Sequence, residues 1–174
     1  MSIDFSIKES DEIDGVFILE PSISVDTRGN IWTSFLQTDI CKLVSDGAGF
    51  KHDKFSLSKK NVFRGLHYDN KTWKLISCAY GKIFLVIVNL DKKSNQYMKS
   101  QTFTLSHNEN IQILIPPKYA NGHYCLSREC LFHYKLSYKG SYNDVKNQKN
   151  IKWNDKRLKI KWPFKKPILS QRDK

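Results

Sequence analysis

Long hydrophobic runs are absent from this sequence, which excludes a membrane-spanning helix of about 20 apolar residues. The longest apolar run, Ile83–Leu90, has the length of a strand and is interrupted by Asn89. The first ten residues place no basic region before an apolar stretch, so the pattern of a secretion signal is missing. We therefore expect a cytoplasmic protein without a membrane partner.

Metal-binding and cofactor-binding patterns are also missing. The four cysteines include no Cys-x-x-Cys pair, so we expect reduced and mostly buried thiols: Cys41, Cys78, Cys125 and Cys130. A cupin-type metal site needs a His-x-His pair, but the second residue after His67 is Asp69. The sequence contains no P-loop, no G-x-G-x-x-G fingerprint and no G-x-S-x-G elbow. We expect an activity that uses neither a metal nor a cofactor.

Arginine is scarce. It supplies only five of the 29 basic residues, which exceed the 17 acidic residues and leave a net charge of +12. Such a charge attracts anions: nucleic acid, acidic lipid or phosphorylated small molecules. The lysine excess disfavours sequence-specific DNA binding, because guanine recognition favours the planar fork of arginine. An AT-rich genome would produce the same excess, so composition alone does not choose among these partners.

Short apolar stretches separated by turn residues make up most of the chain. Its 174 residues, 40% of them hydrophobic, suit one domain over 1–174. Period-two and short apolar runs predict strands over Val16–Leu19, Ile31–Leu36, Lys54–Leu57, Leu75–Tyr80, Ile83–Leu90, Lys99–Leu105, Ile111–Ile115, His123–Leu126 and Leu131–Tyr138. One short helix is predicted over Thr38–Ser45. Many closely spaced strands indicate an all-β sandwich, barrel or jelly roll.

The basic segment Lys146–Lys174 keeps apolar residues that a disordered tail would lack. They are Ile151, Trp153, Leu158, Ile160, Trp162, Phe164 and Leu169. We therefore expect this segment to pack against the body of the domain.

The predicted strand Leu131–Tyr138 provides a first candidate site residue. Phe132 and Tyr134 share one face of this strand, while His133 and Lys135 share the other. If the apolar face points inward, Tyr134 places a phenol inside the barrel. The alternative is a core tyrosine whose hydroxyl binds the backbone.

A second candidate is the stretch Asn61–Tyr68, in which Arg64 and His67 are separated by a glycine and a leucine. Arg64 can hold phosphate oxygens in a bidentate fork, and the imidazole of His67 can act as a base. Lys74, beside the start of a later predicted strand, can supply positive charge to a developing oxyanion. The structural alternatives are a hydrogen-bonded core histidine and solvated surface charges.

A set of short motifs occurs in order along nearly the whole chain. Its members are Leu19–Pro21, Asp26–Gly29, Ser56–Tyr68, Lys74–Leu75, Gly81, Ile115–Pro116, Ala120–Gly122, Tyr134–Lys135, Trp153–Asp155, Trp162–Pro163 and Leu169–Asp173. The Arg-Gly-Leu-His motif combined with the terminal Leu-Ser-x-x-Asp motif makes the set specific. The set resembles the nucleotide-sugar 3,5-epimerases, typified by dTDP-4-dehydrorhamnose 3,5-epimerase. This resemblance implies a cupin-like β jelly roll with short peripheral helices, a homodimer, and chemistry without a metal.

The resemblance also implies the reaction. Its substrate is a 4-keto-6-deoxy sugar on a nucleoside diphosphate, whose ketone acidifies the hydrogens on carbons 3 and 5. By analogy, His67 is the base, Asp173 orients it, and Tyr134 returns a proton from the opposite face. Lys74 stabilises the enolate oxygen.

Substrate-binding residues are implied by the same resemblance. Arg64 is expected to hold the diphosphate, with Arg28 as a helper, and Asn121 and His123 are expected to bind the substrate. Asn121 stands where the family usually has a histidine. Two further departures are Leu85, in place of an aspartate, and Lys139, in place of a second tyrosine. These changes leave open whether carbon 3 alone, or both carbons, would be inverted.

Three further positions concern the nucleotide. Where the family has a Glu, a Gln and an Asn, this sequence has Thr33, His52 and Lys54. We expect these three residues to contact the nucleotide or its sugar. Such a site is not expected to prefer dTDP. It resembles relatives that act on GDP-linked 4-keto-6-deoxy-heptoses in bacterial capsule synthesis, so a GDP-heptose is the expected substrate. A dTDP-4-keto-6-deoxyhexose is the alternative.

Three other functions stay open on the sequence alone. One is a ketoisomerase that moves the keto group between carbons 3 and 4. Another is an inactive, sugar-nucleotide-binding cupin, which the altered Asn121 and Leu85 would fit. The last is a basic β domain that binds nucleic acid through exposed aromatic rings. The inward parity of Tyr134 and the ordered motifs disfavour it, so we expect no nucleic-acid partner.

Overall fold

A computed structural model of the chain describes residues 4–142 and 148–174. The strands in these ranges are β1 (Phe5–Glu9), β2 (Phe17–Pro21), β3 (Ile23–Asp26), β4 (Gly29–Trp32), β5 (Phe50–Lys59), β6 (Phe63–Tyr68), β7 (Trp73–Tyr80), β8 (Lys82–Asn89), β9 (Ser100–Ser106), β10 (Gln112–Ile115), β11 (Tyr119–Cys125), β12 (Glu129–Ser137) and β13 (Lys149–Asn150). A short helix, α1 (Gln37–Ile40), continues into a 3₁₀ turn over Cys41–Leu43. Further 3₁₀ turns cover Lys156–Leu158 and Gln171–Asp173. Among the described residues, no helix is long and apolar enough to cross a membrane.

The strands form two antiparallel sheets that face each other. In the described ranges, one sheet has the order β1-β2-β10-β7-β12-β5 and the other β13-β6-β11-β8-β9, while β3 and β4 pair as a separate hairpin. Apolar residues of both sheets meet between them, including Ile76 and Phe132 from the first and Leu85 and Ile87 from the second. The predicted all-β jelly roll with short peripheral helices is therefore confirmed.

Strand β8 is apolar from Ile83 to Val88 because both of its faces are covered there. Leu85 belongs to the core between the sheets, whereas its neighbour Val86 packs on the outer face with the C-terminal segment. That segment buries Leu158, and the ring of Trp162 lies 5.2 Å from the ring of Phe63. The predicted packing of the basic C-terminal segment is confirmed from residue 148 onward. Residues 146 and 147 of that segment lie outside the described ranges.

Strand β12 has the predicted alternation. Phe132 is buried in the core between the sheets and Tyr134 packs against it. His133 and Lys135 face the opposite side, where both bind the carboxylate of Asp53 at 2.8 Å. Tyr134 therefore points into the space between the sheets, as the parity of the strand predicted.

Some element boundaries differ from the prediction. Strand β4 ends at Trp32, because Phe35 leaves the hairpin and packs edge-on against Phe50 at 5.2 Å. The predicted helix over Thr38–Ser45 is replaced by α1 and the following 3₁₀ turn. Strands β1 and β3 were not predicted, although each alternates apolar and polar residues over four or five positions.

Strand β6, also not predicted, contains the irregularity that shapes the site. Asn121 on β11 pairs with His67, and His123 pairs with Arg64. Strand β6 thus advances by three residues while β11 advances by two, which defines a β-bulge. Because of the extra residue, Arg64 and His67 line the same pocket although they are three positions apart.

Two glycines make this bulge possible. Gly65 has a φ of +128°, and a Cβ there would lie 2.5 Å from the Cα of Gly122 and 2.8 Å from the carbonyl oxygen of Asn121. A Cβ on Gly122 would lie 2.8 Å from the ring of Phe63. Neither position has room for a side chain, so β6 and β11 are in direct backbone contact.

We expect Gly65→Ala to lower the free energy of unfolding by about 2–5 kcal/mol, because strain at positive φ adds to a steric clash. Gly29→Ala is the matched control: Gly29 has a φ of +125°, but nothing lies within 4 Å of its added Cβ. Gly29→Ala should lower the free energy of unfolding only through backbone strain, by about 1–2 kcal/mol. Urea unfolding of both variants tests this expectation, and equal losses would contradict the steric role of the β6–β11 contact.

Candidate active site

A pocket of about 270 Å³ lies between the two sheets beside the C-terminal segment. Its lining residues are Ser56, Arg64, His67, Lys74, Asn121, His123, Phe132, Tyr134, Leu136, Gln148, Ser170, Arg172 and Asp173. Most of the predicted site residues are thus brought together at one place. The lining combines titratable groups with the apolar surface of Phe132 and Leu136, which is typical of a small-molecule site.

The C-terminal segment reaches this pocket by running along the edge of β6. Strand β13 pairs with β6, placing Asn150 opposite His67. Farther along, Phe63 donates its backbone N–H to the carbonyl of Ile168. The side-chain amide of Asn150 then donates to the carbonyl of Arg172 at 2.8 Å. These contacts hold the final 3₁₀ turn against β6 and place Asp173 beside His67.

His67 and Asp173 form a closely bonded pair. The distance from His67 Nε2 to Asp173 Oδ1 is 2.6 Å, and the Asp173 side chain is 3% exposed. Burial raises the pKa of the Asp173 carboxyl, but hydrogen bonds from His67, Ser170 and the backbone of Gly65 outweigh it, so the pKa lies below its usual value. An ionised carboxylate only accepts, so His67 carries its proton at Nε2 and its lone pair at Nδ1. His67 is therefore arranged as a base whose charged form Asp173 would stabilise.

Lys74 is buried within the same pocket. Its ammonium donates to Asn121 Oδ1 at 2.9 Å and to the carbonyl of His67 at 3.3 Å. Burial lowers the pKa of Lys74 to about 8, although the charge of Asp69 opposes this shift. The group is still mainly charged at neutral pH, and it is poorly solvated. Such a cation can stabilise negative charge that develops on a substrate oxygen.

Tyr134 faces His67 from the opposite sheet. It lies on β12, whereas His67 lies on β6, and both line the pocket. Burial raises the pKa of the Tyr134 phenol, an effect that the charge of Arg64 partly opposes. The phenol is therefore protonated at neutral pH and can donate a proton. The His67–Asp173 pair and a protonated phenol thus lie on opposite walls of the pocket.

Two arginines line the pocket. Arg64 Nε donates to Ser58 Oγ at 2.9 Å, and its Nη2 donates to the carbonyl of Leu57 at 3.4 Å. Arg172 was not predicted from the sequence, although it lies inside the terminal Leu-Ser-x-x-Asp motif. Its guanidinium donates to Asn150 and Gln148. Two guanidinium groups beside one pocket favour an anionic ligand.

Comparison with known proteins identifies the family of this arrangement. Residues 10–174 match the family model for dTDP-4-dehydrorhamnose 3,5-epimerase. The chain belongs to this family. The epimerase is 36% identical over 165 residues to dTDP-4-dehydrorhamnose 3,5-epimerase of Salmonella typhimurium, an alignment that covers 92% of this chain and 88% of the relative.

Solved structures agree with this assignment. The epimerase is similar to a dTDP-6-deoxy-D-glucose-3,5-epimerase from Legionella pneumophila in complex with dTDP-4-keto-L-rhamnose, with a TM-score of 0.89 and 32% identity over 98% of this chain and 90% of the other. It is also similar to a dTDP-4-dehydrorhamnose 3,5-epimerase from Bacillus anthracis with TDP and PPi bound. That match has a TM-score of 0.88 and 30% identity over 98% of this chain and 97% of the other. These three relatives are named for dTDP-linked sugars, and none of them supports the expected GDP-heptose.

Four predicted site residues of the epimerase lie outside the pocket lining. Arg28, in the β3–β4 hairpin, pairs with Asp26, and its side chain is 88% exposed. Thr33 comes directly after the same hairpin. His52 and Lys54 lie on the pocket side of β5, where His52 Nδ1 contacts the hydroxyl of Tyr138 at 2.9 Å. They therefore lie on the same wall as Ser56, which does line the pocket.

The departures from the family pattern have different surroundings. Asn121 holds Lys74 through a hydrogen bond and lines the pocket. Leu85 lies opposite His123 in the β8–β11 pairing and is buried in the apolar core. Lys139 lies beyond the end of β12 and is exposed. Asn121 is therefore the departure that reaches the chemistry directly. Among the described residues, no group of three or more His, Cys, Asp or Glu side chains is placed to hold a metal ion.

The buried ammonium of Lys74 should destabilise the folded protein at neutral pH. Its folded pKa of about 8 lies below the unfolded value near 10.4, so between these values the unfolded chain binds more protons. This destabilisation is fully present below about pH 8, and it disappears as the pH rises through the unfolded pKa near 10.4. We expect Lys74→Met to raise the free energy of unfolding by up to about 3 kcal/mol at pH 7, with little gain near pH 10.4. Urea unfolding at both pH values, with the exposed Lys92→Met as control, tests this. A gain that does not depend on pH would contradict it.

Proposed function

We propose that this protein inverts carbon 3, with or without carbon 5, of a 4-keto-6-deoxy sugar carried on a nucleoside diphosphate. The observation that carries the proposal is the placement of the His67–Asp173 pair and Tyr134 on facing sheets around one pocket. Inversion requires a proton to leave one face of the sugar and to return at the other. A sugar ring held between the sheets presents one face to each group.

The first half-reaction removes a proton. The lone pair of His67 Nδ1 takes the hydrogen of carbon 3 as a proton. The electrons of that C–H bond form a double bond to carbon 4, and the ketone oxygen becomes an enolate oxygen. Asp173 stabilises the imidazolium that results, and the ammonium of Lys74 stabilises the enolate. Asn121 supports this role because it fixes the position of Lys74.

The second half-reaction returns a proton from the other face. The phenol of Tyr134 donates its proton to carbon 3, and the enolate electrons re-form the ketone. Solvent restores the proton of Tyr134 and accepts the proton of His67, which closes the cycle without an oxidant or a cofactor. The same sequence of steps at carbon 5 would invert that centre. The diphosphate would bind Arg64 and Arg172, the two guanidinium groups at the pocket.

Two nucleotides are candidates for the carrier. The similarity to proteins named for dTDP sugars supports a dTDP-linked 4-keto-6-deoxyhexose. A GDP-linked 4-keto-6-deoxy-heptose is the second candidate, favoured by Thr33, His52 and Lys54 in place of the usual nucleotide-binding residues. Of these three, His52 and Lys54 lie on the pocket side of β5, so they can contact a nucleotide that extends beyond the sugar.

We further propose that the active form is a homodimer. Strand β5 is an edge strand whose outer face exposes Phe55 (61%) and Leu57 (63%), and the hairpin exposes Val25 (71%) and Ile31 (56%). Exposed apolar patches of this kind mark interaction surfaces. In the monomer, Arg28 and Thr33 lie outside the pocket, so they would touch substrate only if the hairpin extended to the pocket of a second copy.

Proton exchange tests the proposed reaction directly. Purified protein is incubated in deuterated water with a dTDP-linked 4-keto-6-deoxyglucose and, separately, with a GDP-linked 4-keto-6-deoxy-heptose. NMR then monitors the protons on carbons 3 and 5. Deuterium uptake with inversion supports the proposal, and uptake at carbon 3 alone would point to Asn121 as the first residue to examine. If neither substrate takes up deuterium, the proposed reaction is contradicted, and a protein that only binds nucleotide sugars is favoured.

Substitutions at the two candidate proton-transfer residues should affect deuterium exchange and inversion differently. His67→Asn should lower both exchange and inversion about 10²–10⁴-fold, because the base acts before any other step. Tyr134→Phe should lower inversion more than exchange, because proton removal precedes proton return. NMR rates of deuterium uptake and of product formation measure both effects. Equal losses for Tyr134→Phe would assign this residue to substrate positioning instead.

Sedimentation velocity tests the proposed dimer. Leu57→Lys should convert the dimer to a monomer, because it places a charge on the exposed edge strand while its own fold contacts are few. Tyr97→Lys is the control, since Tyr97 is an exposed ring (43%) away from both β5 and the hairpin. A wild-type protein that sediments as a monomer at micromolar concentration would contradict the proposal.

A further inference from the structure

His123 is a pocket residue that the reaction above does not use. It lies on β11, is 4% exposed and lines the pocket. Its ring stacks on Phe132, with the centroids 4.0 Å apart and the planes 11° apart. Its Nε2 is buried without a partner, and within the described ranges no hydrogen bond reaches either ring nitrogen.

The residues paired with His123 on the two neighbouring strands form no hydrogen bond with its ring. On β8 the residue opposite is Leu85, which is apolar and fully buried. On β6 the residue opposite is Arg64, whose guanidinium only donates and is already bonded to Ser58 and Leu57. Burial, reinforced by the charges of Arg64 and His67, lowers the pKa of His123 to about 3. The imidazole is therefore neutral at neutral pH, with one N–H donor and one acceptor nitrogen.

A buried polar group without a partner is costly and rare, so each instance calls for an explanation. Stability alone would favour an apolar ring here, because the imidazole already stacks on Phe132 and faces Leu85. A partner supplied by a bound molecule resolves this cost. The partner must lie in the pocket, since that is the space which the ring borders.

The position of His123 indicates which part of the substrate it meets. It is paired with Arg64, whereas its neighbour on the same face, Asn121, is paired with His67. It also stacks on Phe132, whose ring lies 5.4 Å from that of Tyr134. His123 thus lies between the proposed diphosphate-binding arginine and the proposed acid and base. In the substrate, carbon 1 carries the diphosphate and carbon 3 reacts, so the group between them is the hydroxyl of carbon 2.

We propose that His123 hydrogen-bonds the hydroxyl group on carbon 2 of the sugar and thereby positions carbon 3 for His67. This inference rests on the proposed function. His123 is a positioning and specificity residue, because a neutral ring without a second partner has no route to relay a proton. It makes the protein selective for sugars that carry a polar group at carbon 2.

His123→Phe is the decisive variant, because phenylalanine keeps a planar ring against Phe132 and removes both nitrogens. His123→Phe should lower kcat/KM about tenfold for the 2-hydroxy sugar, because a neutral hydrogen bond that both binds and positions the sugar is lost. The wild-type preference over the matching 2-deoxy sugar should disappear. The Tm of the ligand-free variant should be equal or higher, because an unsatisfied polar group has been removed. His123→Gln, which retains a donor and an acceptor, should recover part of the preference.

Binding measurements decide the inference independently of catalysis. Calorimetry compares the Kd of the free nucleoside diphosphate, dTDP or GDP, with that of its unreactive glucose and 2-deoxyglucose derivatives. His123→Phe should weaken the binding of the glucose derivative and leave the affinities for the free diphosphate and the 2-deoxyglucose derivative unchanged. Equal weakening of the free diphosphate would assign His123 to the phosphates and overturn the proposal, as would an unchanged preference for the 2-hydroxy sugar. If the wild-type protein catalyses no exchange, the proposed reaction is wrong, yet these affinities still decide whether His123 binds the sugar.

Discussion

The active site depends on a backbone contact between Gly65 in β6 and Gly122 in β11. In a regular strand, residues three positions apart point to opposite faces, so Arg64 and His67 would not share a pocket. The bulge adds one residue to β6 and turns both side chains inward, opposite His123 and Asn121. The bulge thus brings the two β6 side chains to the pocket that Asn121 and His123 already face, and it forms only because neither glycine has a Cβ. Glycine contributes little to a strand, but at these two positions any larger residue would separate the strands that position the base.

The fold supports a group of polar residues that stability alone would not select. Lys74 and His123 are both at least nine-tenths buried, and burial disfavours the charged form of each. These costs are offset by three apolar clusters: one between the sheets, one under the C-terminal segment and one beside α1. Strand β8 contributes to two of them. The pocket therefore lies beside packed apolar clusters, which fix the positions of its polar groups.

Regular periods in the sequence predict structure well, whereas departures from a period escape prediction. Alternation in β12 predicted that Tyr134 points inward, and the apolar content of the C-terminal segment predicted its packing. Period two would have separated Arg64 from His67, so their place in one site was predicted only from their closeness in the sequence and from the resemblance to a family. Asp173 lies 106 residues from His67, so no local pattern encodes their hydrogen bond. Arg172 was not predicted as a site residue although it lies inside the terminal Leu-Ser-x-x-Asp motif, because its place in the pocket depends on how the final turn packs against β6.

Family membership constrains the reaction more tightly than the substrate. The groups proposed to carry out the reaction lie on interior strands, where register and the bulge leave little freedom: His67 on β6, Lys74 on β7 and Tyr134 on β12. The residues expected at the nucleotide lie on the edge strand β5 and beside an exposed hairpin, where substitutions disturb no core packing. His52 is already engaged with Tyr138, and the Lys54 ammonium lies 5.8 Å from the ring centre of Tyr134. Relatives can therefore share the central chemistry while differing at this edge. Similarity to dTDP-sugar epimerases supports the reaction more strongly than it supports the nucleotide.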